Sequence, residues 1–326
     1  MSSMPSLAGL FRSTEVLVAG DVMLDEYILG AVSRISPEAP VPVLDVRSRH
    51  SSPGGAANVA VNAAGLGASV RLAGLTGRDH AGDTLRQLLA GHSIPDRYLI
   101  YAEDRGTSSK MRIVAGQQQI CRIDHEVTSC VTGVMLRRLI ETVAQLMDTC
   151  SVMVLSDYAK GTITQEFCDV IIALARERKK PVIVDPKSRD FRKYRGCTVV
   201  TPNLAEALLA TGISMESEQF LKRAGEALMQ QLPGTSVLIT CGADGMTLFE
   251  NGSEPLTIPT FARAVFDVVG AGDTVVATLA VALGSGLPLR EAVVWANLAA
   301  GIVVQKPGTA AIGLQELLAE APGSDS

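Results

Sequence analysis

Between residues 132 and 240 the chain alternates between two hydrophobic patterns. Stretches with apolar positions every three or four residues predict helices over 132–148, 164–178 and 216–231. Short continuous apolar runs separate them, as in Val152-Met153-Val154-Leu155, Val182-Ile183-Val184, Val199-Val200 and Val237-Leu238-Ile239. Runs of that kind read as strands buried on both faces, and their alternation with helices predicts βαβ units on a mostly parallel sheet. Runs at 15–20 and 70–75, a small-residue helix after Gly54-Gly55 and a helix over 79–91 extend the pattern toward the N-terminus. Residues 275–283 are apolar all round, which predicts a fully buried helix.

Two segments break the rhythm. Residues 26–48 carry strand-like runs at 27–30 and 41–46, and Pro42 suits an edge strand. Residues 107–124 form a second excursion around a Gly116-Gln117-Gln118 turn, with charged side chains alternating along it. Such alternation fits either a solvated outer face or a lid whose inner face grips an anionic ligand. Paired together, the two excursions predict a small antiparallel β lid over the ligand end of the main sheet. The chain is thus expected to be one α/β domain over 15–321, lid inserted, with loose termini at 1–14 and 322–326.

The 326 residues are 47% apolar but only 4% aromatic, so the core is expected to be aliphatic. A net charge of -5 gives no electrostatic footprint for nucleic acid, and any anionic ligand must be met by a local cluster of cations. The six cysteines show no C-x-x-C spacing and read as reduced thiols of a cytoplasmic protein. The four histidines are scattered. No signal-type segment opens the chain, and the longest uncharged apolar run, 16 residues after Asp273, is broken by Gly-Ser-Gly-Leu-Pro, so no membrane span is expected.

Candidate chemistry falls repeatedly just after strands: Asp21 and Asp25, Lys160, Lys187, Asn203 and Gly242. Open parallel sheets bind ligands at that edge. The stretch Gly270-Ala271-Gly272-Asp273 feeds the all-apolar helix, so unpaired N–H groups and a positive dipole end surround one carboxylate. Asp273 is then either a helix cap or a group that orients a hydroxyl and accepts its proton beside an anion hole. Asn58, one turn beyond the diglycine, is either a satisfied core amide or a ligand contact. The patterns G-x-x-x-x-G-K-[ST], G-x-G-x-x-G after the first strand, and G-x-S-x-G are absent, which argues against P-loop ATPases, Rossmann dehydrogenases and α/β-hydrolases.

Three motifs in order, Gly54-Gly55 with Asn58, Asn203-x-x-Glu206 and Asp267-Val268-Val269-Gly270-Ala271-Gly272-Asp273-Thr274, make the chain resemble the ribokinase-like (PfkB) sugar kinases over about residues 15–312. The resemblance implies a three-layer α/β sandwich with a β lid, and transfer of phosphate from ATP with Mg²⁺. It implies Asp273 as catalytic base and Gly270, Ala271 and Gly272 as anion hole. Asp25, Gly54, Gly55, Asn58 and, more weakly, Asp21 match sugar-binding positions. Asn203, Thr240, Gly242, Gly245 and Asn297 fall on the nucleotide side, with Glu206 organising Mg²⁺ through water. In potassium-dependent members a loop like Asp267 and Val269 meets one like Gln305-Lys306-Pro307-Gly308 around a monovalent cation. Relatives also suggest a homodimer formed through the lid.

Within the family, Gly20-Asp21-Val22-Met23-Leu24-Asp25-Glu26-Tyr27, Arg34-Ile35-Ser36-Pro37-Glu38-Ala39-Pro40-Val41-Pro42-Val43, Asp157-Tyr158-Ala159-Lys160-Gly161 and Asp185-Pro186-Lys187 are most similar to a branch acting on a seven-carbon sugar phosphate at its anomeric hydroxyl. The alternative is a member acting on another sugar or sugar phosphate. A phosphorylated substrate needs cations, and Arg122, Lys160 and Lys187 are the candidates, with Lys110 and Arg112 nearby on the lid and Asp124 holding sugar hydroxyls. Relatives often carry a C-terminal adenylyltransferase; this sequence has no H-x-G-H and stops soon after the kinase pattern, so a stand-alone kinase is expected.

Overall fold

The computed structural model describes residues 6–262, 265–306 and 310–321. A short helix α1 (Leu7–Arg12) leads into β1 (Glu15–Gly20), and two long strands, β2 (Val22–Ile35) and β3 (Pro42–Gly55), follow at once. Then come α2 (Ala56–Gly65), β4 (Ser69–Thr76), α3 (His80–Gly91) and β5 (Leu99–Tyr101). A hairpin of β6 (Ser108–Ala115) and β7 (Gln118–His125) interrupts the alternation a second time. The regular part is α4 (Gly133–Met147), β8 (Val152–Asp157), α5 (Gln165–Glu177), β9 (Val182–Pro186), β10 (Val199–Val200), α6 (Leu204–Thr211), α7 (Phe220–Gln231) and β11 (Ser236–Thr240). The chain continues with β12 (Met246–Phe249), β13 (Leu256–Ile258), α8 (Ala271–Gly284), α9 (Leu289–Val303) and α10 (Leu314–Ala319).

The main sheet runs β13-β12-β11-β10-β9-β8-β1-β4-β5, with every pair parallel except β11–β12 and β12–β13. Side chains alternate across it, as the two-residue strand period demands. Val16 and Val18 of β1 join one core with α2, α8 and α9, whereas Leu17 and Ala19 join the other with α4, α5 and α7. Three layers result, and strands covered on both faces explain the unbroken apolar runs. Helix α8 is buried continuously from Asp273 to Ala282, as its all-apolar sequence predicts.

The excursions pair into a second sheet of order β3-β2-β6-β7. Its β2–β3 and β6–β7 pairs are antiparallel, and β2–β6 is parallel. Strands β2 and β3 are 14 residues each and reach well beyond the short runs that the sequence suggested. Strand β2 starts inside the core at Val22–Leu24 and ends exposed at Ile35, and β3 returns from exposed Pro42 to buried Gly55, so floor and lid are one ribbon. The loose arm anticipated for residues 1–14 is partly ordered: α1 buries Phe11 completely, and an aromatic side chain with a core to fill holds its turn of helix. Strands β5, β12 and β13 and helices α9 and α10 were not foreseen; three- and four-residue strands carry too few positions for a pattern.

Candidate active site

A cavity of about 370 Å³ lies where the carboxyl ends of β9 to β11 meet the N-terminus of α8 and the inner face of the lid. One half is walled by Met23, Asp25, Gly55, Lys110, Arg112 and Arg122. The other is walled by Asp185, Lys187, Thr201, Asn203, Glu206, Thr240, Val269, Gly270 and Gly272. Asp273 and Tyr158 stand at the junction.

Gly270 is the N-cap of α8 and offers no side chain to its first turn. The Ala271 N–H turns to the Val268 carbonyl at 3.3 Å and the Thr274 N–H to that of Gly270 at 3.0 Å. The N–H groups of Gly272 and Asp273 are left as open donors at the positive end of the helix dipole. In the middle sits the Asp273 carboxylate, 6% exposed, clamped from both sides. The Tyr158 hydroxyl donates to Oδ1 at 2.7 Å and the Asn58 amide donates to Oδ2 at 2.6 Å. Burial raises the Asp273 pKa above the usual carboxylate range, while these hydrogen bonds and Lys187 oppose the rise. Burial and the adjacent Asp273 charge hold the Tyr158 phenol neutral, its pKa well above the ordinary value.

Across the cavity two carboxylates share one ammonium. Lys187 lies 2.7 Å from Glu206 and 3.7 Å from Asp185. Burial works against its charge, but Asp185 and Glu206 outweigh it, so its pKa rises. Burial pushes the Asp185 carboxyl up to about 7, with Lys187 opposing and the charges of Asp273 and Glu206 adding to the rise. Asn203 and Glu206 form a capping box at the start of α6, each side chain accepting the other's backbone N–H at 2.9 Å. An isolated bridge places Asn203 beside Thr240.

No group of three or more metal-ligating side chains holds a bare ion among the described residues. The donor set instead suits magnesium, which keeps water and phosphate oxygens around one or two carboxylates. Asp185, short of compensating charge, and Glu206 fit that demand.

The raised Asp185 pKa has a testable sign. The folded protein holds this proton up to about 7, whereas an ordinary carboxyl releases it near 3.8, so folding is favoured at low pH and loses stability as pH rises between those values. Asp185→Asn is expected to flatten the fall in Tm of the ligand-free protein from pH 5 to 8 by at least about 2 °C. An unchanged profile would remove the charge crowding assigned to Asp185.

In the lid half each cation is held by a carboxylate. Arg112 pairs with Asp25, both largely buried. Arg122 donates to both oxygens of Asp124 at 2.8 and 2.9 Å, and Lys110 bonds Glu126 and, at 3.4 Å, Asp124. Arg122 keeps one terminal nitrogen and Arg112 keeps two nitrogens outside these pairs, so both retain donors for a phosphate. The diglycine makes room: a Cβ on Gly54 would lie 2.3 Å from Asp25 Oδ2, and Gly55 has φ +57° with its Cβ position 2.5 Å from the Asp21 carbonyl.

Several predicted residues sit elsewhere. Asp21 does not line this cavity; its carboxylate accepts the backbone N–H groups of Tyr158, Lys160 and Thr162 at 2.9 to 3.0 Å. It therefore shapes the loop that delivers Tyr158. Lys160 pairs with Glu126 at 2.6 Å and lines a separate small cavity with Asp21. Lys187 belongs with Asp185 and Glu206 rather than with the lid cations. Asn58 reaches the site only through Asp273. Gly242 and Gly245 turn the chain between β11 and β12 outside the cavity wall, and Asn297 donates to the Pro259 carbonyl at 2.8 Å. Asp267 accepts the Val269 N–H at 2.9 Å. Of the facing segment, Pro307 and Gly308 lie outside the described residues. Tyr158, Asp185, Thr201 and Met23 were missed, although Tyr158 and Asp185 follow strand ends as the other candidates do.

The family described as "pfkB family carbohydrate kinase" matches residues 13–316. The "Bifunctional protein HldE" of Alcanivorax borkumensis is 46% identical over 307 residues, covering 94% of this chain and 63% of that protein. The chain spans 63% to 65% of the length of four such curated relatives. Among solved structures, Arabidopsis thaliana ribokinase complexed with ribose and ATP superposes with a TM-score of 0.75 at 20% identity, covering 94% of this chain and 98% of that one. Escherichia coli phosphofructokinase-2 in complex with potassium gives 0.78 at 19% identity, covering 94% and 97%. These two likenesses speak for the fold.

Proposed function

Because the chain belongs to the pfkB family of carbohydrate kinases, we propose that it transfers the terminal phosphoryl group of ATP to the anomeric hydroxyl of D-glycero-β-D-manno-heptose 7-phosphate. The product would be the 1,7-bisphosphate, a precursor of the ADP-heptose used in lipopolysaccharide core. The observation that carries a phosphorylated substrate is the cation set Lys110, Arg112 and Arg122 on the lid wall opposite Asp273, in a protein of net charge -5. The heptose itself rests on the motif stretches at 20–27, 34–43, 157–161 and 185–187.

In this reading the sugar lies against Asp25 and Gly55 under the lid, with its phosphate near Arg122 and Arg112. Its anomeric hydroxyl points at Asp273. The sugar oxygen forms a bond to the γ-phosphorus, the bond to the ADP oxygen breaks, and the hydroxyl proton passes to Asp273. Gly272 and Asp273 N–H groups hold the charge on the transferring phosphoryl oxygens. Lys187 meets the same charge from the opposite wall. Magnesium, held through water by Glu206 and Asp185, would neutralise the nucleotide phosphates. Covering the site with the lid excludes water as a competing acceptor. A monovalent cation beside Asp267 and Val269 is part of the same reading.

The decisive experiment is incubation with ATP, Mg²⁺ and a panel of sugar phosphates, followed by detection of a bisphosphate. Turnover of the heptose 7-phosphate above the rest supports the proposal, and preference for a hexose phosphate replaces it with the other family reading. Arg122→Ala is expected to raise KM for the phosphosugar about tenfold or more and to leave KM for ATP within about twofold. Equal changes in both would take Arg122 away from the substrate phosphate.

The exposed apolar side chains Val32, Ile35, Val41, Val46, Ile120 and Ile123 all belong to the lid segments. Large exposed apolar patches mark interaction surfaces, and two copies paired lid to lid would cover this one. Ile123→Asp should shift a dimer toward monomer in sedimentation velocity; a wild type that is monomeric at micromolar concentration refutes the pairing. Among the described residues no helix is long and apolar enough to cross a membrane. Buried free thiols at Cys150, Cys168 and Cys197 fit the cytoplasmic location that belongs to this reading.

A further inference from the structure

A second cavity of about 370 Å³ lies among α3, β5 and α4 and shares no lining residue with the site around Asp273. Its wall carries four arginines, Arg78, Arg86, Arg97 and Arg138, against one carboxylate, Glu103. Such a concentration of positive charge is out of keeping with a chain of net charge -5. Among the described residues the one ion pair these arginines make is Arg86 with Asp96, at 3.3 Å.

Three of the four guanidinium groups are held in place by aromatic rings. Arg78 and Arg86 both lie over the Tyr101 ring, at 4.6 and 4.0 Å from its centroid, and Arg97 lies over Tyr98 at 4.8 Å. The Arg86 side chain is only 10% exposed. It donates to the Thr76 hydroxyl at 2.8 Å and to the Asp96 and Leu99 carbonyls at 3.0 and 3.1 Å, yet its Nε is buried without a hydrogen-bond partner. Four like charges in one hollow repel each other, and holding three of them on aromatic faces limits their freedom to spread apart. A bound polyanion relieves that repulsion.

We propose that this cavity is a binding site for a compact phosphate-bearing anion. Guanidinium forks converging from several directions suit a group with three or more acceptor oxygens. The site borders the root of the lid. Tyr101 precedes the segment 102–107, and the Thr107 N–H that ends it donates to Asp79, the residue after Arg78, at 2.7 Å. Strand β6 of the lid begins at the next residue.

The test is calorimetric titration of inorganic tripolyphosphate into the full chain and into Arg78→Gln/Arg138→Gln. Both side chains are exposed, so the double variant is expected to fold, which circular dichroism checks. Wild type should bind at a site whose affinity falls at least about tenfold in the double variant and drops steeply with salt. The same site should persist in Lys187→Ala, which separates it from any binding beside Asp273. Arg97→Gln alone should weaken it in the same direction. Absence of binding, or binding that Lys187→Ala removes and the arginine variants leave unchanged, overturns the proposal.

Discussion

Asp273→Asn is expected to lower kcat by about 10³-fold or more while the protein folds normally and binds ATP as before. The fold survives because the amide can replace both hydrogen bonds of the carboxylate. Its oxygen accepts the Asn58 amide, and its nitrogen donates to the Tyr158 hydroxyl oxygen, at the 2.6 and 2.7 Å now spanned by Oδ2 and Oδ1. What disappears is the proton acceptor, with about 4 kcal/mol of transition-state stabilisation. In the proposed reading nucleotide binding depends on the opposite wall and on backbone N–H groups, none of which the substitution touches. Circular dichroism, ATP binding and steady-state turnover together check the result. Turnover within tenfold of wild type would take the base role from Asp273.

Lys187→Ala is expected to lower kcat/KM for ATP by about 10²- to 10³-fold and to change KM for the phosphosugar far less. Lys187 is the one cation set between Asp185, Glu206 and Asp273, and without it those carboxylates face the incoming phosphates uncompensated. The repulsion acts on ATP first. Initial-rate kinetics with each substrate varied separately distinguish the two effects. A rise confined to KM of the phosphosugar would return Lys187 to the role suggested by sequence spacing alone.

That reversal shows what a sequence conveys and what it hides. The parallel sheet was legible because strands covered on both faces must be apolar throughout, and Val152-Met153-Val154-Leu155 can hardly be anything else. The lid was legible as an interruption, though its strands run further than their apolar cores. The α8 N-terminus was legible because its glycines and Asp273 are consecutive in the chain. Partnerships between distant residues were not. Tyr158 and Asp273 are 115 positions apart, and nothing in either neighbourhood announces that one phenol clamps one carboxylate. Asp21 stands after a strand like the true cavity residues, but its carboxylate is spent on three backbone N–H groups of the 158–162 loop. Strand-end position marks the neighbourhood of a site; the direction of each side chain depends on contacts the sequence does not order.

Strand β2 passes without a break from the core floor at Val22 to the exposed tip at Ile35, and its register against β3 slips between Leu29 and Gly30 and again between Val32 and Arg34. In the proposed reading this ribbon covers the sugar, and its bending is gathered at those irregular steps. Asp25 rides on the same strand below them and is tied to Arg112 on the neighbouring one. Bending at the tip therefore leaves Asp25 in place and moves the exposed end of the lid alone, and the steps must stay free of side chains at Gly30, where a Cβ would lie 2.3 Å from the Asp45 carbonyl oxygen.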